Sequence, residues 1–517
     1  MRAAHPGRIL IVLACLWAGL ALLSGWRGGM YFLSFETDMA HLVQILLRLE
    51  AGQQVHVDFS TPLGAWGFWP IQALMATGLG MGKAMVWSQA LVALLVLPGL
   101  WWAAASRLPR AIAIAFGAAV LVIIMALTHG DTNSSVTFAM HYNRWCWAIL
   151  MPALVVALLP FRTDGHAWLI DGVVVGTSMV ALAMIKASFF AAFAPAVILG
   201  LILQRSLRGL GLALGIGAVA IGVLTLVHGM SFWQAYMDDL LAVAASDLRT
   251  APGDSLSELV GSPRHVMSTL VLIAAVLVLR RAQADGAALL LIVMAPGAYY
   301  ATFQNYANDP IWLIVVALVV LAAADSARLS QRRAIAVAAA VIVLPVMINF
   351  TLSLARHAFQ PPGGFRPLMA APARHSDVQI ATARTRDMIF TMKDSPTAAP
   401  DMFQGRPLPA CELSGGFVAH AEAVIKELSA QGITRQPFVA DLFMPHWMLA
   451  GWAALDGGQP WYYGGLPGIE AAEHVLVPDC PVSTKARETV LQALEDRGLT
   501  FETPTRGGRF SLFRIVR

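Results

Sequence analysis

The chain has 517 residues, of which 57% are hydrophobic and only 13% are charged, and its mean hydropathy is +0.65. A soluble domain carries about 25% charged residues, so this composition excludes an ordinary soluble protein and indicates a polytopic membrane protein. The net charge of +4 lies mostly at the ends of apolar segments. There it reports on membrane topology and does not indicate nucleic-acid binding.

Apolar segments fill most of the first two-thirds of the chain, each near the length of about 20 residues that crosses a bilayer as a helix. They lie near 8–26, 62–80, 84–104, 110–128, 145–161, 167–185, 187–204, 209–229, 265–280, 286–302, 311–325 and 334–353. The first follows basic residues but ends without a clear small-residue cleavage site. It is therefore interpreted as an uncleaved span and not as a signal peptide.

The segment 62–80 is the exception, because Pro62, Gly64, Gly67 and Pro70 favour a juxtamembrane or re-entrant helix over a crossing. About eleven transmembrane helices then remain. With the N-terminus in the cytoplasm, the outer loops carry many of the acids, and the inner loops carry Arg2, Arg8, Arg107, Arg110, Arg162, Arg205, Arg208, Arg280, Arg281, Arg328, Arg332 and Arg333. This separation follows the positive-inside rule and places the C-terminus outside.

The composition changes after residue 353, where proline, glycine and charge return. The sequence predicts a transmembrane domain over 1–353 and an extracytoplasmic α/β domain over 354–517. In the latter, "PFVADLF" and "EHVLVPD" are predicted strands, "VSTKARETVLQALEDRG" is a predicted helix, and "LTFETPTRGGRFSLFRIV" is a predicted hairpin that turns at Gly507-Gly508. Cys411 and Cys480 form a disulfide or remain free, depending on the compartment; the sequence leaves both open.

The first outer loop, 27–83, holds the acids of greatest interest. A helix is predicted from Asp38 to a cap at Gly52, with its apolar stripe on the membrane and its polar face, which includes His41 and Arg48, exposed. His56 and Asp58 follow, in "QQVHVDFSTPLG".

Glu36, Asp38 and Asp58 are thus expected to converge at a membrane–water boundary. A carboxylate there can act as a general base, or Asp38 can simply cap the helix while Glu36 is a solvated loop acid.

The layout of "ETDMAHL", then "DFSTPLG" leading into a juxtamembrane helix, many spans and a C-terminal outer domain resembles the GT-C superfamily of membrane glycosyltransferases. The likeness is strongest to the family of protein O-mannosyltransferases and lipid A aminoarabinose transferases. It implies a polyprenyl-phosphate-linked sugar donor and inverting transfer on the outer face. By position, Asp38 would be the catalytic base and Glu36 its neighbouring acid. Relatives often have a basic residue before a proline pair, whereas this chain has Asp58 and one proline.

A phosphate-bearing donor requires cations near the outer face. The candidates are Lys186, the pair His141 and Arg144, and the pair Arg249 and Arg264. His56 and Asp58 are further candidate substrate-binding residues. The alternatives are a snorkelling lysine, an interfacial aromatic belt with a headgroup-binding arginine, and an interfacial helix. The three loop acids can also bind a divalent cation through oxygen, and the sequence leaves metal use open.

The sequence therefore predicts a polytopic α-helical membrane protein in a bacterial inner membrane, with a cytoplasmic N-terminus and a periplasmic C-terminal domain. Its predicted function is glycosyl transfer from the polyprenyl-phosphate donor to a glycan, lipid or protein acceptor, among membrane lipids. The alternatives are a transporter or flippase of a lipid-linked saccharide, and a non-catalytic protein of envelope assembly. Few ionisable residues lie within the spans, which disfavours ion-coupled transport.

Overall fold

The structure, a computed structural model, describes residues 6–130, 132–162, 167–248, 261–304, 309–323, 328–361, 363–393 and 402–517. Its first part is helical. The helices are α1 (Pro6–Gly25), α2 (Glu36–Glu50), α3 (Trp69–Met75), α4 (Met81–Arg107), α5 (Arg110–Met125), α6 (His141–Leu158), α7 (Trp168–Ile185), α8 (Ala187–Leu203), α9 (Leu207–His228), α10 (Met230–Ala245), α11 (Pro263–Arg281), α12 (Asp285–Phe303), α13 (Leu313–Ala322) and α14 (Leu329–Ala358).

Each apolar segment that the sequence predicts to cross coincides, within a few residues, with one of these helices. Among the described residues, seven helices are long and apolar enough to cross a membrane by length and composition, namely α1, α4, α7, α9, α11, α12 and α14. The helices α5, α8 and α13 are apolar but shorter. A chain with these helices is suited to a bilayer, where each helix satisfies its own backbone hydrogen bonds.

The segment 62–80 forms no spanning helix, as predicted. Its helical part is α3, which has 7 residues and follows a single turn of 3-10 helix at Ala65–Gly67. At about 1.5 Å per residue, α3 is roughly 10 Å long, far short of a hydrocarbon core of about 30 Å. Pro70 lies in its first turn, and Gly78 follows its end with φ +93°.

The helical bundle has two ends that differ in charge. At one end, which we call the arginine-rich end, the Arg107 Nη2 atom lies 2.7 Å from the Asp171 Oδ2 atom. The backbone N–H of Arg162 donates to the Ser106 carbonyl there (3.1 Å). Successive helices run in opposite directions. The helices α1, α5, α7 and α14 therefore end at the opposite end of the bundle. That opposite end carries the C-terminal domain.

The C-terminal domain mixes short strands and helices. Its strands are β2 (Phe365–Pro367), β3 (Val378–Ala381), β4 (Ile389–Met392), β5 (Met402–Phe403), β6 (Arg406–Pro407), β7 (Cys411–Gly415), β8 (Phe438–Val439), β9 (His474–Pro478), β10 (Thr500–Phe501), β11 (Thr505–Arg506) and β12 (Phe510–Val516). Its helices are α15 (Phe417–Ala430), α16 (His446–Ala450) and α17 (Thr484–Asp496). The main sheet has the order β10-β12-β9-β8, with β11 also paired to β12 and β8 parallel to β9.

Several local predictions in this domain are confirmed. The predicted strands correspond to β8 and β9, and the predicted helix is α17, whose Ser483 Oγ atom accepts from the Ala486 N–H (3.2 Å). Gly498 follows α17 with φ +69°. In the hairpin, the Gly507 N–H donates to the Phe510 carbonyl (2.9 Å). Val424, Leu428, Val475, Val490 and Leu494 are buried between α15, α17 and the sheet.

Two covalent or backbone links complete the architecture. Cys411 and Cys480 are joined by a disulfide, which resolves the alternative that the sequence left open. In addition, β1 (Met30–Phe32), which lies in the first outer loop, pairs in parallel with β3 of the C-terminal domain, Met30 opposite Val378. The loop and the domain therefore share one sheet.

Candidate functional site

The helix α2 of the first outer loop is buried on both faces. Its apolar stripe, for example Met39 and Val43, is predicted to lie on the membrane, but it is fully buried inside the protein. Its polar face, predicted to be exposed, is covered by the C-terminal domain. The Trp447 Nε1–H donates to Gln44 Oε1 (2.9 Å), and Arg48 Nη2 donates to the Leu455 carbonyl (3.1 Å). That prediction is wrong because partners distant in sequence satisfy the polar groups that otherwise require water.

His41 lies on the same covered face. Its ring meets the Trp461 ring edge-on at 5.6 Å, and Trp461 in turn stacks on Phe443 at 5.4 Å. Desolvation lowers the pKa of His41 to about 4, so the imidazole is neutral at physiological pH. His41 is thus part of the contact between α2 and the C-terminal domain.

Glu36 begins α2 and turns toward the C-terminal domain. Its Oε2 atom accepts from the backbone N–H of Val418 (3.1 Å), in the first turn of α15, where the helix dipole favours an anion. Burial raises the pKa of Glu36, although this hydrogen bond and the charge of Arg384 oppose the rise. The residue thus joins the first outer loop to the domain that covers it.

Asp58 also has a local partner. Its Oδ2 atom accepts from the Gln54 N–H (2.7 Å) and closes the turn before the juxtamembrane segment. Glu36 and Asp58 therefore bind different backbone groups, those of Val418 and Gln54, and the convergence of Glu36, Asp38 and Asp58 stays a prediction. In the part of the chain that the structure describes, no group of three or more histidines, cysteines and acids could hold a metal ion.

Asp38 lies in the first turn of α2 and is half-buried. Three residues earlier, Phe35 has φ 62° and stacks its ring on His129 at 4.1 Å, which places the start of α2 beside the loop between α5 and α6. Desolvation, assisted by the charge of Arg144, lowers the pKa of His129 to about 4. The start of α2, which includes Asp38, therefore follows a residue that stacks on a buried, neutral histidine.

Arg144 lies in the first turn of α6 and is only 3% exposed. Its Nη1 atom donates to the carbonyls of Thr128 and Ala139, which hold the α5–α6 loop. Its Nε and Nη2 atoms are buried and have no hydrogen-bond partner among the described residues. A guanidinium whose Nε–H and Nη2–H groups have no partner among the described residues is suited to bind an oxyanion.

His141, also in the first turn of α6, holds the juxtamembrane segment. Its Nε2–H donates to the Gly67 carbonyl (2.8 Å). Close by, the Gly64 N–H donates to the Ile185 carbonyl (3.0 Å). A Cβ atom at Gly64 would lie 2.1 Å from the Met184 carbonyl oxygen, so only glycine permits this approach of the segment to the end of α7.

Lys186 occupies the junction of α7 and α8 and is 7% exposed. Its Nζ atom donates to Asn143 Oδ1 (2.8 Å) and lies 5.4 Å from the ring centroid of Tyr142. Asn143 and Tyr142 belong to the first turn of α6. The turn "HYNR", His141–Arg144, therefore contacts the α5–α6 loop, the juxtamembrane segment and Lys186 together.

His56 links the loop to α10. Its Nδ1–H donates to Asp239 Oδ2 (2.7 Å), and the Thr61 N–H donates to the same oxygen (2.9 Å). The ring packs 4.4 Å from that of Tyr236. Sequence reasoning missed this role of Asp239, whose only signal was its place in the amphipathic stretch "SFWQAYMDDLLAVAA".

An apolar cleft of about 490 Å³ lies beside the juxtamembrane segment. It is bounded by the end of α2, by α3 and by the junction of α9 and α10. Trp69 and His228 line it and stack at 5.4 Å. Phe232 also lines it and meets the His56 ring at 5.6 Å. The cleft therefore adjoins the His56–Asp239 pair.

Two predicted residues, Arg264 and Arg249, remain to be considered. The Arg264 Nη1 atom, at the start of α11, pairs with Asp309 Oδ1 at 2.7 Å. Arg249 lies outside the described residues. Of the predicted set, the structure therefore brings His141, Arg144 and Lys186 together around one helical turn, while His56 binds Asp239 of α10.

No known protein family matches this chain, and neither does any curated protein sequence. A solved structure, the crystal structure of ArnT from Cupriavidus metallidurans in the apo state, is similar at 11% identity, with a TM-score of 0.40 over 97% of each chain. A similarity at that TM-score is too low to assign the fold.

Proposed function

We propose that this chain is an integral-membrane glycosyltransferase of the GT-C type, which moves a sugar from a polyprenyl-phosphate donor to an acceptor hydroxyl on the outer face. The main support is the first turn of α6. This turn contacts the buried Lys186 and the juxtamembrane segment, and it includes the buried Arg144, whose Nε and Nη2 atoms have no partner among the described residues. It lies at the end of the bundle that carries the C-terminal domain. Positive charge at that place suits a lipid phosphate that leaves during the reaction.

In the proposed reaction, Asp38 accepts the proton of the acceptor hydroxyl. The oxygen attacks the anomeric carbon from the face opposite the phosphate, and the bond between that carbon and the phosphate oxygen breaks with inversion. Lys186 and Arg144 stabilise the charge that develops on the polyprenyl phosphate. The apolar cleft beside α3 offers a wall for the isoprenoid chain.

Other residues position this machinery. Glu36 holds the start of α2 to Val418, and the His56–Asp239 pair holds the loop to α10. Contacts from Arg249 and Arg264 to the donor stay predictions. The arginine-rich end faces the cytoplasm in this proposal, because basic loops are retained inside, and the C-terminal domain is periplasmic.

The decisive experiment measures transfer from a labelled polyprenyl-phosphate sugar by the full chain in liposomes. Asp38→Asn removes the base but keeps the size of the side chain, and we expect a loss of about 10²–10⁴-fold in kcat. Asp58→Asn is the matched control, because asparagine still accepts from the Gln54 N–H and turnover should persist. Undiminished transfer by Asp38→Asn, or movement of the intact donor across the bilayer without transfer, contradicts the proposal.

A further inference from the structure

A second cavity lies at the arginine-rich end, opposite the candidate site. It has a volume of about 330 Å³ and forms where the α4–α5 turn, the chain after α6 and the end of α13 meet. Its walls include Arg107, Ile112, Phe161, Arg162, Leu318 and Leu321. The cavity is thus both apolar and cationic, a combination that the proposed transferase chemistry does not use.

The short helix α13 forms one wall of the cavity. It has 10 residues and is roughly 15 Å long, about half the thickness of a hydrocarbon core. Leu318 and Leu321 lie near the end of α13 and line the cavity. Apolar side chains there face a gap that water fills poorly and an acyl chain fills well.

The charge at the cavity is positive and incompletely paired. Arg107 is neutralised by Asp171 at 2.7 Å and lies 4.9 Å from the Phe161 ring centroid. Arg162 is exposed, and its Nη1 atom donates to the Leu108 carbonyl (2.8 Å). The other N–H groups of the Arg162 guanidinium have no partner within the described ranges, so they remain available for an anion.

The N-terminus of α5 adds to this charge. Its first residue is Arg110, and the Ala113 N–H makes the first helical bond, to the Pro109 carbonyl (2.8 Å). No side chain caps this end. The backbone N–H groups of the first turn therefore lack helical acceptors and carry the positive end of the helix dipole, beside the same cavity that Pro109 and Ile112 line.

We propose that this cavity binds one anionic phospholipid of the surrounding membrane. The Arg162 guanidinium and the first turn of α5 bind the phosphate, and the wall of Ile112, Leu318 and Leu321 packs against the glycerol and the upper part of an acyl chain. Arginine suits this role because its planar fork binds phosphate through two hydrogen bonds and is weakly hydrated. A soluble phosphate compound gains nothing from the apolar wall, which points to a lipid.

The test is native mass spectrometry of the purified full chain with phosphatidylglycerol or phosphatidylcholine added to the detergent. We expect a bound phosphatidylglycerol that phosphatidylcholine does not replace. Arg162→Ala should lower the phosphatidylglycerol affinity about tenfold. Leu318→Trp fills the cavity from its apolar side and should lower it similarly while leaving every arginine in place.

Arg281→Ala is the matched control, because Arg281 is exposed at the end of α11 and does not line the cavity. If Arg281→Ala weakens phosphatidylglycerol as much as Arg162→Ala, the lipid is attracted only by net charge and the proposal is wrong. It is equally wrong if Leu318→Trp has no effect while the melting temperature is unchanged, or if inorganic phosphate alone binds with the same dependence on Arg162. Glycosyl transfer is not measured, so the outcome is separate from that of the proposed function.

Discussion

Lys186 illustrates how the surroundings of one residue support its proposed role. Its ammonium group is removed from water, at a cost of several kcal/mol for a buried ion. The amide oxygen of Asn143 and the faces of Tyr142 and Phe189 recover part of this cost, since a cation over an aromatic ring gains about 0.5–2 kcal/mol. A phosphate that reaches this lysine meets a charge that is poorly hydrated and strongly attractive.

The residue-scale prediction follows from that arrangement. Lys186→Met should lower kcat/KM for the donor by about 10²–10³-fold, the usual effect of losing one group that stabilises developing charge. Asn143→Asp should raise KM, because the new carboxylate competes with the donor phosphate for the ammonium group. Lys83→Met, an exposed lysine near the same end, serves as the control and should leave both constants unchanged. A wild-type kcat/KM in Lys186→Met, or a wild-type KM in Asn143→Asp, contradicts this role.

Glu36 gives a prediction on pH. Burial raises its pKa above 4.5 in the folded protein. Above pH 4.5 the carboxyl group therefore loses its proton more readily in the unfolded chain than in the folded one. As a result, the free energy of unfolding decreases as the pH rises. Glu36→Gln keeps an acceptor for the Val418 N–H without a buried charge. Its melting temperature should exceed that of the wild type at pH 7.5 and converge with it below pH 4.5. A variant that melts lower at pH 7.5 would show that the charged hydrogen bond outweighs desolvation.

The sequence indicates ionisable residues among the apolar segments, but it does not indicate their partners. Lys186 and Arg144 stand out because ionisable groups are costly among apolar segments. The partner of Glu36, by contrast, is the backbone N–H of Val418, far along the chain. The pair of His56 and Asp239 is equally distant in sequence. Such contacts depend on tertiary packing, which neither spacing nor composition records.

Among the elements, α3 and α2 differ in how far the sequence predicted them. The prolines and glycines of 62–80 indicate a helix too short to cross, because they remove backbone hydrogen bonds and relax helical geometry. The exposure of α2 was mispredicted, because the amphipathic pattern identifies a polar face but not what covers it. Here Trp447 and Arg48 supply the polar contacts of that face with the C-terminal domain.

The short α3 predicts that the chain enters and leaves it on one side of the membrane. Cysteines introduced at Val57 and Thr77, both exposed, should react with a membrane-impermeant maleimide added from outside intact cells. A cysteine at Arg281, at the arginine-rich end, should react only after the membrane is opened. The native Cys146 is buried and Cys15 lies in α1, so each is replaced or measured as background. Labelling at Val57 and Thr77 from opposite sides would require α3 to cross.

At the scale of the whole molecule, the disulfide and the charge distribution agree on orientation. Cys411 and Cys480 lie in the domain at the end opposite to the arginine-rich end. Disulfides persist in oxidising compartments, and arginine-rich loops stay in the cytoplasm, so both observations support the proposed orientation, with the C-terminal domain outside. The apolar segments of the sequence predict about eleven crossings, whereas seven helices of the described residues are long and apolar enough to cross by length and composition.

The disulfide closes a loop with a sequence separation of 69 residues. Loop-closure entropy for this length predicts that Cys411→Ala/Cys480→Ala lowers the free energy of unfolding of the domain by about 4 kcal/mol. Denaturant unfolding of the full chain in detergent, followed by tryptophan fluorescence, measures the change. The Cys146→Ala variant is the control for loss of a cysteine elsewhere. A midpoint unchanged by loss of the pair would show that the unfolded domain is already compact around this loop.

The parallel pairing of β1 with β3 sets an order of events during synthesis. Met30 emerges from the ribosome early, but its partner Val378 follows only after all the apolar helices have been made. At a synthesis rate of about 5–20 residues per second, that wait is on the order of tens of seconds. The start of α2, with Asp38, therefore stays unsupported on the nascent chain until its distant strand arrives. A chain that stops before this strand is left with an open loop, and the contact between this loop and the C-terminal domain becomes a property that only the finished polypeptide acquires.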